Sequence, residues 1–243
     1  MTDTEAAQIL IRLLDLTSLN HDDTKETIKD LCRRAVTPYG ATAAVCIYPE
    51  FIAAALHELK DNIKIATVVN FPDGSADLKR LEKEVRQAIK LGADEIDAVL
   101  PYRELLSGNE NFCISFLNKA RELCGDKTLK IIIESGELKS TVNIKKAARL
   151  AIEAGADFVK TSTGKTPISA TPEAANAILE EIKASGKEVG FKASGGIKTL
   201  EDAKKYLSLA VSIMGPDWIN AKHFRIGASS VLNNLLEHLN KGY

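Results

Sequence analysis

The chain has 243 residues, of which 45 % are hydrophobic and 27 % charged, and its formal net charge is −1. That apolar content excludes a disordered chain and leaves a core large enough to need no disulfide or metal staple. The near-neutral charge excludes a general attraction to nucleic acid or to an anionic membrane.

The N-terminal segment MTDTEAAQILIRLLDLT begins with acids before any base and has no small-residue cleavage site. It reads as an N-terminal helix running into a short strand, LLDLT from Leu13, and not as a signal peptide. Further runs rich in Val, Ile and Phe follow: TAAVCIY from Thr42, IKIATVV from Ile63, DEIDAVL from Asp94 and LKIIIE from Leu129. DFVKTS from Asp157, EVGFKAS from Glu188 and HFRIGA from His223 complete the set. Such runs suit buried parallel strands. Between them lie stretches such as DLKRLEKEVRQAIKLG and NIKKAARLAIEAG. Their apolar residues recur at three- and four-residue steps and both end in Gly, as amphipathic helices do.

From Leu13 the strand starts are spaced 29, 21, 31, 35, 28, 31 and 35 residues apart. Each step holds one βα unit, and no gap admits a second domain. Eight such units predict a single (β/α)8 TIM barrel over residues 1–243 with an extra N-terminal helix. A doubly wound open sheet is the alternative. AVSIM near residue 210 competes with LLDLT as the eighth strand, but it would split a normal 35-residue unit into two cramped ones.

Cys32, Cys46, Cys113 and Cys124 form no C-x-x-C pair. They read as free thiols of a reducing compartment. His21, His57, His223 and His238 lack metal-ligand spacing. No apolar run reaches the length of a membrane span. The chain is therefore expected to be cytoplasmic, with no metal and no cofactor.

Three ionisable residues interrupt the apolar strands near their C-terminal ends: Asp97 on the fourth, Lys160 on the sixth and Lys192 on the seventh. Side chains of a strand alternate between faces. If the faces bearing Phe158 and Gly190 point inward, both amines lie inside the barrel, at the end where this fold carries its active sites. Desolvation and a neighbouring like charge lower the pKa of an amine. A lysine so treated becomes a nucleophile towards carbonyls, with a carboxylate nearby to move protons. A structural salt bridge between Asp97 and one lysine is the alternative.

Three loops add a second signal. They read Thr161-Ser162-Thr163-Gly164-Lys165, Ser194-Gly195-Gly196-Ile197-Lys198 and Gly227-Ala228-Ser229-Ser230. Each joins Gly to hydroxyls or Lys, which suits phosphate binding after the last strands of a barrel. Cys46 is either a ligand contact or a small hydrophobe. Thr17 and Asn20 cap a turn or line the pocket. Glu134, at the end of strand five, is left without a role.

The segments DLTSLN, CIYP, NFP, GADEIDAVLPYRELLSGN, IIIESGEL, GADFVKTSTGK, ATPE, GFKASGGI and FRIGASS run in order along almost the whole chain. Together they resemble the class I, Schiff-base deoxyribose-phosphate aldolase family. The resemblance implies reversible cleavage of 2-deoxy-D-ribose 5-phosphate to D-glyceraldehyde 3-phosphate and acetaldehyde, in deoxyribonucleoside catabolism. It implies Lys160 as the Schiff-base lysine, Lys192 as the second lysine that keeps it reactive, and Asp97 as the acid/base partner working with Lys192 and an ordered water. Phosphate would be held by Gly164, Lys165, Gly195, Gly196, Lys198, Gly227, Ser229 and Ser230. Thr17, Asn20, Cys46 and Thr163 match positions that line the pocket in relatives. A C-terminal Tyr243 could swing over the mouth for proton exchange. Some relatives carry Arg at the position of Lys198, and Pro-Ala in place of Ala193-Ser194. The implied partners are small phosphorylated sugars and aldehydes, with a homodimer as one open assembly. Another barrel aldolase of different substrate, and a phosphosugar-binding regulator without chemistry, are the competing functions.

Overall fold

The computed structural model describes residues 2–59 and 62–240. Its centre is a closed barrel of eight parallel strands. They are β1 (Leu14–Thr17), β2 (Ala44–Ile47), β3 (Lys64–Val69), β4 (Glu95–Val99), β5 (Thr128–Ile132), β6 (Phe158–Lys160), β7 (Gly190–Ser194) and β8 (Phe224–Ala228). Each strand pairs with the next, and β1 pairs with both β2 and β8, so the sheet has no edge. LLDLT is thus a barrel strand, whereas AVSIM lies within the helix Leu200–Met214. The N-terminal helix Asp3–Arg12 packs against the last helix, Val231–Asn240. A two-stranded antiparallel hairpin, Val36–Thr37 with Gly40–Ala41, precedes β2 and was not foreseen from the sequence.

Local chemistry sets the helix limits. In the helix Leu78–Leu91, Asp77 accepts from the amides of Lys79 and Arg80, and Gly92 ends it in the left-handed conformation. Thr171 caps Pro172–Ser185 in the same way, with Pro172 in its first turn. Outward-facing strand residues, among them Val45, Ile96, Ile131, Val159, Phe191 and Ile226, are buried beneath these helices. Each such side chain contributes about 1.5–3 kcal/mol on burial. Among the described residues, no helix is long and apolar enough to cross a membrane.

The barrel interior is divided. On β2 and β3 it is apolar and small, with Ala44, Cys46, Ala66 and Val68 clustered under Leu19. The remaining strands send in charge: Asp15 from β1, Glu95 and Asp97 from β4, Lys130 from β5, Lys160 from β6, Lys192 from β7 and Arg225 from β8. All seven are buried.

Candidate active site

The inward positions on β4, β6 and β7 bring Asp97, Lys160 and Lys192 together. Lys160 Nζ donates to Asp97 Oδ2 at 2.7 Å, and Lys192 Nζ donates to the same oxygen at 2.8 Å. Lys130, paired in register with Asp97, donates to Asp97 Oδ1 at 2.8 Å. Lys130 also lies 2.5 Å from Glu95 and 3.5 Å from Asp15. Asp15 contacts Lys192 at 2.6 Å and Arg225 at 2.5 Å. Arg225 then reaches Glu95 at 3.1 Å. The result is one connected set of four bases and three carboxylates, larger than the single salt bridge considered from sequence.

The strand pattern by itself treats the two lysines alike, and the family resemblance gives them different roles; the surroundings of the two amines differ accordingly. Burial lowers the Lys160 pKa below its ordinary value, and neighbouring Lys192 adds to this, against the pull of Asp97. Burial would also lower Lys192, but Asp15 and Asp97 together outweigh it and hold Lys192 above the ordinary lysine range. Lys130 is likewise raised, because Asp97, Glu95 and Asp15 outweigh its desolvation. Asp97 is itself buried, yet Lys130, Lys160 and Lys192 hold its carboxyl well below the usual range. Asp97 therefore stays ionised, Lys192 stays charged, and Lys160 is the amine most ready to lose its proton.

Above these groups opens a pocket. Lys160 is at its floor. Thr17 and Asn20 line one wall, and Thr163, Gly164 and Lys165 another. Gly195, Gly196, Lys198, Gly227, Ser229 and Ser230 complete the mouth. Ser230 directly precedes the helix Val231–Asn240, whose N-terminal end is attractive to anions. Gly195 has φ of 87°, and a Cβ there would lie 2.5 Å from Ser169 Cβ. At Gly227 a Cβ would meet Ser194 Oγ at 2.4 Å and Lys192 Cε at 2.9 Å. Only glycine leaves the floor of the pocket open at that point.

The walls are braced from behind. Thr163 donates from Oγ1 to Glu134 Oε2 at 2.5 Å and from its amide to Oε1 at 3.3 Å. Thr166 adds a third bond to Glu134. Glu134 is fully buried, with φ of 52°, and burial pushes its carboxyl pKa up. Lys165 Nζ donates to Leu19 O at 2.6 Å, tying the loop after β6 to the loop after β1. Thr161 Oγ1 accepts from the Ser194 amide at 3.0 Å and fixes the end of β7. Ser194 Oγ, buried beside Gly227, has no hydrogen-bond partner among the described residues.

Thus Asp97, Lys160 and Lys192 meet, and Thr17, Asn20, Thr163 and the eight residues of the phosphate set surround the pocket over them. Cys46 is fully buried in the apolar half of the interior and is not part of the pocket wall. Tyr243 lies outside the described residues. Sequence reasoning missed Asp15, Glu95, Lys130 and Arg225. Their signal was parity: Glu95 is two residues before Asp97, and Arg225 is two before Gly227.

Known proteins of similar sequence and structure include several aldolases. The aldolase QR15 is 29 % identical, with 96 % of this chain and 97 % of that one covered and a TM-score of 0.82. A Coccidioides immitis protein, provisionally assigned as a deoxyribose-phosphate aldolase, is 28 % identical over 96 % of this chain and 86 % of its own, with a TM-score of 0.86. The deoxyribose phosphate aldolase of Aeropyrum pernix, described as a unique tetramer, is 25 % identical, with 100 % of this chain and 94 % of that one covered and a TM-score of 0.71. The model of the family described as DeoC/LacD family aldolase matches residues 9–236. That match spans all eight strands, and the chain belongs to the DeoC/LacD family of aldolases.

Proposed function

We propose that the protein is a class I deoxyribose-phosphate aldolase in which Lys160 forms a Schiff base with the aldehyde carbon of 2-deoxy-D-ribose 5-phosphate. One observation carries this reading. Lys160 is a buried amine, lowered in pKa, whose one carboxylate oxygen contact among the described residues is shared with a second lysine held above the ordinary lysine range, at the floor of an anion-suited pocket.

The chemistry follows from that arrangement. Neutral Lys160 adds to C1, and loss of water gives an iminium. A water held by Asp97 and Lys192 takes the proton of the C3 hydroxyl. The C2–C3 bond breaks, its electron pair enters the iminium to give an enamine, and C3 leaves as the aldehyde of D-glyceraldehyde 3-phosphate. The enamine carbon takes a proton, water adds to the iminium, and acetaldehyde departs with Lys160 restored. Charged Lys192 favours the neutral form of Lys160 and orders the water, while ionised Asp97 holds both amines in place. The residues Gly164, Lys165, Gly195, Gly196, Lys198, Gly227, Ser229 and Ser230 anchor the phosphate, and Thr17, Asn20 and Thr163 line the carbon chain. Remote binding energy of this kind orients the reacting carbons. Such a reaction serves deoxyribonucleoside breakdown in the cytoplasm.

The test is trapping with acetaldehyde and sodium borohydride, followed by peptide mass spectrometry. The expected result is an ethyl group on the Lys160 peptide, absent from Lys160→Ala, together with retro-aldol turnover of 2-deoxyribose 5-phosphate. An adduct with faster cleavage of another phosphosugar would change the substrate. No adduct in folded protein overturns the Schiff base.

A further inference from the structure

The pocket is built around Lys160, but the charges that surround this amine extend to the other end of the barrel. Four bases, Lys130, Lys160, Lys192 and Arg225, are linked by ion contacts to three carboxylates, Asp15, Glu95 and Asp97. A buried set of this kind is stable when its charges balance. Balance requires one of the four bases to be neutral.

Contact geometry says which one. Lys130 touches all three carboxylates, Lys192 touches Asp15 and Asp97, and Arg225 touches Asp15 and Glu95. Among the described residues, Lys160 touches Asp97 alone of the three carboxylates, on an oxygen it shares with Lys192. Arg225 keeps its charge in any protein environment. It does not line the pocket, and its guanidinium lies 5.5 Å from the centroid of the Phe158 ring, one inward position before Lys160 on β6.

We propose that Arg225 is a positioning residue for the aldol reaction: by engaging Asp15 and Glu95 it leaves Asp97 to be divided among three lysines, so that Lys160 is the base without a proton. This rests on the reading of Lys160 as the Schiff-base lysine.

The other groups facing Lys160 do not alter the balance. Cys46 on β2 is a thiol whose pKa burial pushes up, so it stays uncharged. The inward residues of β3 are Ala66 and Val68. Glu134, after β5, is bonded to Thr163 and Thr166 and makes no ion contact with any of the four bases among the described residues. A neutral side chain at 225 would free Asp15 for Lys192 and Glu95 for Lys130, leave Asp97 to Lys160, and favour its protonated form. A neutral side chain at 95 would do the reverse.

The experiment compares the acid limb of kcat/KM for 2-deoxyribose 5-phosphate in wild type, Arg225→Met, Arg225→Lys and Glu95→Gln, alongside the pH dependence of borohydride-trapped acetaldehyde on the Lys160 peptide. Expected is a limb moved up by about one pH unit in R225M and down by about as much in E95Q. R225K returns it to the wild-type position. A merely structural role would lower thermal stability in both variants without moving the limbs in opposite directions. Coincident limbs, or limbs moved the same way, overturn the proposal. If R225M does not fold, the downward shift in E95Q decides by its presence or absence. Lack of an adduct on wild-type Lys160 overturns the Schiff-base reading and this proposal with it, whereas an adduct with unmoved limbs overturns only the role of Arg225.

Discussion

Lys160 and Lys192 meet on a single atom: both amines lie within hydrogen-bond distance of Asp97 Oδ2, at 2.7 and 2.8 Å. What separates them is Asp15, which reaches Lys192 at 2.6 Å and does not contact Lys160. One cation therefore stays charged beside an amine that gives up its proton. Replacing Lys192 by Met removes that cation and is expected to raise the Lys160 pKa. At pH 7 the rate of adduct formation on Lys160 should fall about tenfold or more, with partial recovery at higher pH. A pH series of trapping rates checks this, and an unchanged series would remove Lys192 from control of the amine.

Asp97 and Lys160 should behave oppositely towards stability. Asp97→Asn leaves Lys130, Lys160 and Lys192 around a neutral amide and is expected to cost about 3–5 kcal/mol of folding stability, because uncompensated buried charge is expensive. Lys160→Met removes the least compensated base. It should abolish turnover while leaving thermal stability equal to wild type or higher. Differential scanning calorimetry of the two variants reads this directly.

The dependence of stability on pH follows from the directions of the shifts. Asp15 and Asp97 are held below the ordinary carboxylate range in the folded state. Their contribution is present above the unfolded value of about 4 and is lost as pH falls through the folded values. Acid unfolding is therefore expected below about pH 4. Lys130 and Lys192 are raised, so their contribution is complete below the unfolded value of about 10.4 and is lost as pH rises through the folded values. Lys160 is lowered, and between its folded and unfolded values the unfolded chain binds the extra proton. In that window wild-type stability should rise with pH relative to Lys160→Met. Urea unfolding at a series of pH values tests the sign.

Gly227→Ala should narrow the floor of the pocket, since its Cβ would sit 2.4 Å from Ser194 Oγ and 2.9 Å from Lys192 Cε. Overpacking of this kind costs about 1–3 kcal/mol, and kcat/KM should fall with it. Adding Ser194→Ala removes the nearer clash and should restore part of the loss. The coupling between the two changes is the quantity to measure.

All four cysteines are buried. Burial pushes Cys32, Cys113 and Cys124 up to about 11. At pH 8 a disulfide reagent such as DTNB should find no fast thiol in the native protein and four in denaturant. A rapid native reaction would show that the barrel wall opens.

Much of this architecture was legible in the strand spacing, because every βα unit carries the same apolar run and helical period. The hairpin at Val36–Thr37 and Gly40–Ala41 was not, since strands of two residues leave no period to count. Asp97, Lys160 and Lys192 stood out because each interrupts an apolar run, although in the structure only Lys160 ends its strand while Asp97 and Lys192 are central in theirs. Glu95 opens β4, and Lys130 is the second residue of the run LKIIIE, where charges ordinarily belong to the preceding turn. Their burial depends on the register of neighbouring strands, such as Asp97 opposite Lys130 and Lys192 opposite Arg225, and a linear sequence does not display register. The different roles of the two lysines came from the resemblance alone; the part of Asp15 in separating them was hidden for the same reason, because it acts on Lys192 from a strand more than 170 residues away in the chain.

Phe158 occupies the inward position below Lys160, pressed against Gly190 so closely that a Cβ there would come within 2.4 Å of its ring. With Phe158, Lys130 and Arg225 all buried, the barrel is stoppered beneath the amine. Solvent approaches the Lys160 amine through the mouth of the pocket. On the proposed aldolase reading, a deuterium carried in by heavy water reaches the nascent methyl of acetaldehyde through that mouth, and the pace of isotope wash-in becomes a gauge of how often it stands open while substrate is bound.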